Sequence, residues 1–272
     1  MNQNFGEEIL NRIKNALEAA VESISSFIPG AVATEFKVGG DPITEADRTA
    51  NRILRQNLIR DGEGWLSEES FDDLARIEKE RVWVVDPLDG TREFVAGIPE
   101  WCISVGFVEN GKAVAGGICN PATRELFLGA VGQGMTLNGR VVRPSSCRVL
   151  SEAVVLASRS EVRGGDWDSF RKAPFVTRPM GSVAYKLALV AAGLADATWT
   201  LAPKSDWDIA AGVALVECAG GFARNIDNSL LRFNQKCTRL PGLLACGPYL
   251  LEELTCLLGG MPARGSTKLG GT

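Results

Sequence analysis

The chain has 272 residues, 45% of them hydrophobic and 23% charged, with a formal net charge of −4 and no histidine. That is ordinary globular composition without a basic field on which a nucleic-acid backbone could condense, so no nucleic-acid polymer is expected as a partner. The missing histidine excludes imidazole bases, phosphohistidine and His-ligated zinc, which leaves acid–base work to carboxylates, hydroxyls, lysines or metal-held water.

The first residues, Met1-Asn2-Gln3-Asn4-Phe5, turn polar without an apolar leader, and no run of about 18 apolar residues follows. A cytoplasmic chain with no membrane partner is therefore expected. Seven cysteines (Cys102, Cys119, Cys147, Cys218, Cys237, Cys246 and Cys256) are scattered, odd in number and never paired as C-x-x-C. Reduced thiols within apolar stretches are the expected state.

Phe5, Ile9, Ile13, Leu17, Val21, Ile24 and Phe27 recur at three- and four-residue steps, which predicts an amphipathic helix over 4–28, closed by Pro29-Gly30. A second helix is predicted from Thr44 to about Arg60, with Asp61-Gly62 as its stop. Val82 to Val85 reads as a short buried strand ending at Asp86-Pro87. From 101 to 143 the pattern is a strand meander: 101–108, a turn at Asn110-Gly111, 112–119, 125–130 and a turn at Asn138-Gly139. Beyond about 150, strands at 153–157, 197–201 and 243–246 alternate with helices at 183–192 and 209–219. The fold class expected is an α+β to α/β layered sandwich. An N-terminal α+β lobe (1–148) would carry an antiparallel sheet with helices, a C-terminal lobe (149–258) mixed α/β layers, and the Gly/Ser/Thr-rich tail (259–272) is expected to be disordered.

The strongest local signal is Asp86-Pro87-Leu88-Asp89-Gly90-Thr91, directly after the buried strand. Two carboxylates three residues apart on a Pro/Gly-constrained turn can converge on one point, with neighbouring carbonyls and a hydroxyl as further hard oxygen donors. A helix starting just after it would aim the Gly90 and Thr91 amides at an anion; a plain surface Asp-Gly turn is the competing reading. Glu68-Glu69 alone reads as a solvated loop, Thr44-x-x-Asp47 alone as a helix capping pair, and Asp208 ahead of a clean helix alone as its cap.

Taken together, Asp41-x-x-Thr44-x-x-Asp47, Ser67-Glu68-Glu69-Ser70, Asp86 to Thr91 and Trp207-Asp208-x-Ala-Ala-Gly resemble, in order and separation, the signatures of the inositol monophosphatase superfamily, which includes the 3'(2'),5'-bisphosphate nucleotidases. The resemblance covers about residues 5 to 255 and implies a sugar-phosphatase-like fold. It implies hydrolysis of a phosphate monoester on a small metabolite with two or three magnesium ions, lithium sensitivity, and compatibility with a homodimer. On that resemblance Glu68, Asp86 and the Leu88 carbonyl would hold one magnesium, and Asp86, Asp89 and Asp208 a second. Thr91, oriented by Asp47, and Glu68 would prepare the attacking water, while Gly90 and Thr91 amides meet the phosphoryl oxygens.

For the substrate the residues point two ways. Arg92-Glu93-Phe94 after the Asp-Gly-Thr turn resembles bisphosphate nucleotidases, whereas Gly181-Ser182-Val183 is spaced as in inositol enzymes and would offer backbone contacts. Thr200 stands where inositol enzymes usually carry a glutamate for ring hydroxyls, and Arg92 and Lys204 could draw a second phosphate to the rim. These residues favour 3'-phosphoadenosine 5'-phosphate slightly over inositol monophosphate. Two rivals fit less well. A haloacid-dehalogenase-like phosphatase would need Asp-x-Asp-Gly-Thr, but Pro87 and Leu88 both separate the aspartates; a silent metal-binding scaffold would be expected to have lost a ligand carboxylate.

Overall fold

The computed structural model describes residues 3–259. Helix α1 (Gln3–Ile24) buries Ile9, Ile13, Leu17 and Ile24 along one stripe. It ends at Ile24, short of residue 28, because Phe27 N bonds back to the Ile24 carbonyl in a turn ahead of Pro29. A hairpin that the sequence did not reveal follows, β1 (Glu35–Phe36) against β2 (Pro42–Ile43). Helix α2 (Glu45–Leu58) starts from Thr44.

Next come β3 (Gly64–Ser67), β4 (Arg81–Asp89), α3 (Thr91–Val95), β5 (Cys102–Glu109), β6 (Lys112–Asn120), β7 (Glu125–Ala130), β8 (Gly134–Leu137) and β9 (Arg140–Val142). These strands form one seven-stranded sheet in chain order, parallel only between β3 and β4 and antiparallel elsewhere. Side chains along β4 alternate between faces: Trp83 and Val85 meet α1 and α2, while Val82 and Val84 join the opposite core. Both faces are covered, which is why β4 reads as an unbroken apolar run.

The second half contributes β10 (Val154–Ser158), α4 (Arg159–Arg163), β11 (Val176–Met180), α5 (Val183–Ala191), β12 (Ala197–Thr200), β13 (Lys204–Ser205) and α6 (Asp206–Ala219). It closes with β14 (Phe222–Asn225), β15 (Arg239–Leu240), β16 (Leu243–Cys246) and α7 (Leu251–Gly259). A five-stranded sheet runs β11-β10-β12-β16-β14, with its first three strands parallel and β16 antiparallel to both neighbours. Helices α5 and α6 lie between the two sheets in one core cluster, and α7 covers the outer face of the second sheet with Leu254 and Leu258. The layers are therefore helix, sheet, helix, sheet, helix, as the layered α/β reading expects.

Helix α6 sits deep because its neighbours are bare. Gly106 and Gly116 pair across β5 and β6, and a Cβ on Gly116 would stand 2.4 Å from the Ala211 carbonyl oxygen. On the opposite side, a Cβ on Gly212 would stand 2.4 Å from Leu187 Cβ of α5. The Ala210-Ala211-Gly212 step is thus a packing device that fixes how far the α6 N-terminus, with Asp208, reaches. Residues 260–272, most of the tail for which disorder is expected, lie outside the described residues. Among those described, no helix is long and apolar enough to cross a membrane.

Candidate active site

Strand β4 does not stop at Val85. Its ladder with β5 continues to Asp86 opposite Ser104, then shifts register before Asp89 opposite Cys102. Pro87, which has no N–H for the ladder, sits within that irregularity, and Asp86 and Asp89 both come to line one cleft. Leu88 N donates to Asp86 Oδ1 at 3.0 Å. Asp89 Oδ2 accepts from Ser182 Oγ at 2.7 Å and Ala184 N at 2.6 Å, which ties β4 to the start of α5. Gly90 has φ +99°, and a Cβ there would lie 2.8 Å from the Glu100 carbonyl oxygen, so only glycine lets α3 begin at Thr91.

Asp47 and Asp208 are both third residues of capping boxes. Asp47 Oδ2 accepts from Thr44 N at 2.7 Å and Thr44 Oγ1 at 2.6 Å, and its other oxygen lies 3.0 Å from Thr91 Oγ1. Thr91 Oγ1 is also 3.0 Å from the Leu88 carbonyl oxygen. With a single proton it donates to only one of these acceptors at a time. Asp208 Oδ2 accepts from Ser205 N at 2.9 Å. Cap and site are therefore not rival readings of these aspartates; one oxygen serves the helix and the other remains for the site.

The cleft has a volume of about 580 Å³, and its walls include Glu68, Asp86, Leu88, Asp89, Gly90, Thr91 and Asp208. Burial, reinforced by the charges of Glu68, Asp89 and Asp208, pushes the Asp86 carboxyl well above the usual carboxylate range. Burial and then Asp89 push Asp208 up to about 7. Asp89 is raised by burial despite its two hydrogen bonds and the nearby Lys186 and Lys204 charges. No described residue donates to Asp86 Oδ2, Asp89 Oδ1 or Asp208 Oδ1. Mutually repelling carboxylates with open oxygens on one cleft are a donor set that fits a hard divalent cation such as magnesium. Glu68 is engaged differently: Lys37 Nζ lies 2.7 Å from its Oε1 and 2.5 Å from Glu69 Oε1. An ammonium there competes with a cation for the same carboxylate.

The facing wall is the carboxyl edge of the parallel trio β11, β10 and β12, the edge at which open α/β sheets take ligands. It presents Ser158-Arg159-Ser160, Gly181-Ser182-Val183 and Pro203-Lys204-Ser205. Ser182 has φ +50°, a strained conformation that lets its hydroxyl both cap α5 through Tyr185 N and hold Asp89. Lys186, 3% exposed, donates to the Ser182 carbonyl at 2.9 Å, and burial lowers it to about 8.

The profile of the inositol monophosphatase family matches residues 3–258. The chain belongs to the inositol monophosphatase family. It is thereby a phosphoric monoester hydrolase of a generally metal-dependent family that acts on small phosphorylated compounds. It is 36% identical over 201 residues to an inositol-1-monophosphatase of Rhizobium meliloti, covering 71% of this chain and 75% of that one. It is 36% identical over 195 residues to a fructose-1,6-bisphosphatase/inositol-1-monophosphatase of Thermotoga maritima, covering 70% and 72%. The solved inositol monophosphatase of Anabaena superposes with a TM-score of 0.79 at 28% identity, covering 95% of this chain and 98% of that one.

Within this family member, Gly90, Thr91, Arg92, Gly181, Ser182, Val183 and Lys204 all line the cleft with the acidic residues, and Asp47 stands behind Thr91. Thr200 does not line it: it is 4% exposed and its hydroxyl donates to Glu161 Oε1. Arg92 pairs with Asp41 at 2.9 Å on the exposed rim. Lys37, Arg159, Glu161, Lys186 and Arg239 escaped the sequence reading. Lys37 belongs to a hairpin too short to leave a strand pattern. The Ser-Arg-Ser-Glu step at 158–161 had a usable signal, polar residues directly after a buried strand at the edge where ligands bind.

Proposed function

We propose that the chain hydrolyses a phosphate monoester on a small soluble metabolite, with two or three magnesium ions held by Glu68, Asp86, the Leu88 carbonyl, Asp89 and Asp208. The observation that carries this reading is that carboxylates from three separate segments, 68, 86–89 and 208, line one cleft together with Thr91. When bound, magnesium supplies positive charge at the phosphoryl and leaving oxygens and acidifies water. Asp47, anchored by Thr44, accepts the Thr91 proton and so leaves the Thr91 lone pairs to orient the attacking water. The Gly90 and Thr91 amides at the start of α3 meet the non-bridging oxygens. Lithium is expected to inhibit.

For the leaving group, our reading is a second anionic substituent, with 3'-phosphoadenosine 5'-phosphate as the preferred substrate. Support comes from Lys204 and Arg239 on the walls and from Thr200, which is turned away and offers no hydroxyl acceptor. The Thermotoga relative is named for a bisphosphate as well as for inositol monophosphate. Inositol 1-phosphate is the second reading, favoured by the name of the Rhizobium relative. Phosphate release measured over both compounds, with and without magnesium, tests each level. Magnesium-dependent turnover with higher kcat/KM for the bisphosphate is expected. Turnover undiminished by EDTA would sink the metal reading, and a preference for inositol 1-phosphate would sink the substrate choice alone.

A further inference from the structure

We propose that Glu161 is a positioning residue for substrate selection: it holds Lys204 on the leaving-group wall, where the ammonium receives a second anionic group of the substrate. This rests on the bisphosphate reading above. Glu161 lies in the first turn of α4, at the carboxyl edge of β10, and is 4% exposed. Its Oε1 accepts from Thr200 Oγ1 and stands 3.4 Å from Lys204 Nζ, and its Oε2 accepts from Trp167 Nε1 at 3.3 Å. Trp167 in turn stacks on Trp199 with ring centroids 4.7 Å apart, so the carboxylate is anchored from the apolar cluster behind the wall.

A carboxylate buried this far persists because it is paired and hydrogen-bonded on both oxygens. Glu161 is buried and does not line the cleft, so it acts through Lys204 and not as a direct acceptor of a hydroxyl. The ion pair with Glu161 fixes the Lys204 ammonium in place, and an ammonium carries three donors, so donors remain available at the wall. Three of the other wall cations are committed elsewhere. Arg159 lies between Glu93 and Glu100, Lys186 is buried against backbone carbonyls, and Arg92 pairs with Asp41 at the solvent-exposed rim. Arg239, exposed and without an ion pair among the described residues, adds charge on the neighbouring β15 strand.

The matched substrates are 3'-phosphoadenosine 5'-phosphate and adenosine 3'-monophosphate, which share the reacting phosphate and leaving nucleoside and differ only in the second phosphate. With magnesium present, Glu161→Gln is expected to cut the bisphosphate-over-monophosphate ratio of kcat/KM by about tenfold, through KM. Lys204→Met is expected to do at least as much, Lys204→Arg to keep most of the ratio, and the double variant Glu161→Gln/Lys204→Met to be no worse than Lys204→Met. Glu161→Asp keeps the buried charge while shortening its reach; it is the variant to use if Glu161→Gln melts below the assay temperature, with the same direction expected. A wild-type ratio near one would overturn the bisphosphate reading and this inference together. A wild-type preference left intact by the Glu161 variants, or additive losses in the double variant, would overturn the inference alone.

Discussion

Helices α2 and α6 begin with the same device and put it to different use. In each, a hydroxyl residue caps the helix and an aspartate three residues on returns one carboxylate oxygen to the cap backbone, at 2.7 Å for Asp47 and 2.9 Å for Asp208. The difference lies in the other oxygen. Asp47 spends it on Thr91, whereas Asp208 keeps it open toward a cleft shared with Asp86 and Asp89. A capping box therefore fixes where an aspartate stands, and the surrounding sheets decide whether its second oxygen positions a hydroxyl or offers itself to a cation.

The sharpest test of this contrast is a pair of isosteric changes. Asp208→Asn keeps an acceptor for Ser205 N but removes charge from the cleft. It is expected to lower kcat/KM on the order of 10³-fold and to shift the magnesium midpoint upward, while the metal-free protein melts at a higher temperature. Asp47→Asn is expected to lower kcat on the order of 10²-fold, with the magnesium midpoint little changed, because it acts on Thr91 and the water. Magnesium titrations of steady-state rate check both. Equal shifts of the midpoint in the two variants would erase the distinction between the two aspartates.

The helix-start contrast also shows what a sequence can carry. The Thr44–Asp47 capping pair, the α1 stripe and the β5 to β7 meander are local patterns with periods or spacings of a few residues, and the structure places them as read. At α6 the cap is Ser205, and Asp208, read as the cap itself, is the third residue of a helix that starts at Asp206 and not at 209. The extension of β4 through Pro87 did not read out, because proline argues against a strand and only the register shift against β5 accommodates it. Strands β3 (Gly-Trp-Leu-Ser) and β14 (Phe-Ala-Arg-Asn) mix glycine or polar residues into four positions and leave no apolar run or clean alternation to be seen, unlike the equally short Leu-Leu-Ala-Cys of β16. Glu161 and Lys37 were hidden for another reason. Their partners, Thr200 with Lys204 and Glu68 with Glu69, are more than thirty residues away, so no local spacing marks them.

Removing the two cap hydroxyls separates helix stability from site geometry. Thr44→Ala and Ser205→Ala are each expected to cost about 1 kcal/mol in thermal unfolding. Thr44→Ala should also reduce turnover several-fold, since Thr44 Oγ1 fixes the aspartate that orients Thr91. Stability loss without any activity loss at Thr44 would make Asp47 a cap residue alone.

The same site predicts a pH trend. Burial, outweighing the hydrogen bonds from Thr44 and Thr91, holds the Asp47 carboxyl above the usual aspartate range. The folded state thus binds this proton more tightly than the unfolded chain does. The resulting contribution is fully present below the unfolded pKa and is lost as pH rises through the folded one. Asp47→Asn deletes that titration, so its melting temperature relative to wild type should become more favourable as pH rises from about 4 toward neutrality. A constant difference across that range would show that Asp47 ionises alike in both states.

The smallest effect is expected at Arg92, which the sequence places beside Lys204 as a second-phosphate contact. The two cations differ in how they are held. Arg92 and its partner Asp41 are 64% and 68% exposed in their side chains, while Lys204 and Glu161 are 15% and 4% exposed. An exposed pair is worth roughly 0–1 kcal/mol and is screened by salt, and its long side chains are not fixed before substrate arrives. Arg92→Ala is therefore expected to leave thermal stability within about 0.5 kcal/mol and to raise KM for 3'-phosphoadenosine 5'-phosphate only about twofold at low salt, an effect that fades as ionic strength rises. Lys204→Met should be larger and less sensitive to salt, because its anchor is buried. Kinetics of both variants across a salt series check the ranking, and a salt-resistant loss at Arg92 as large as that at Lys204 would mean that the rim pair opens on binding and Arg92 closes over the substrate.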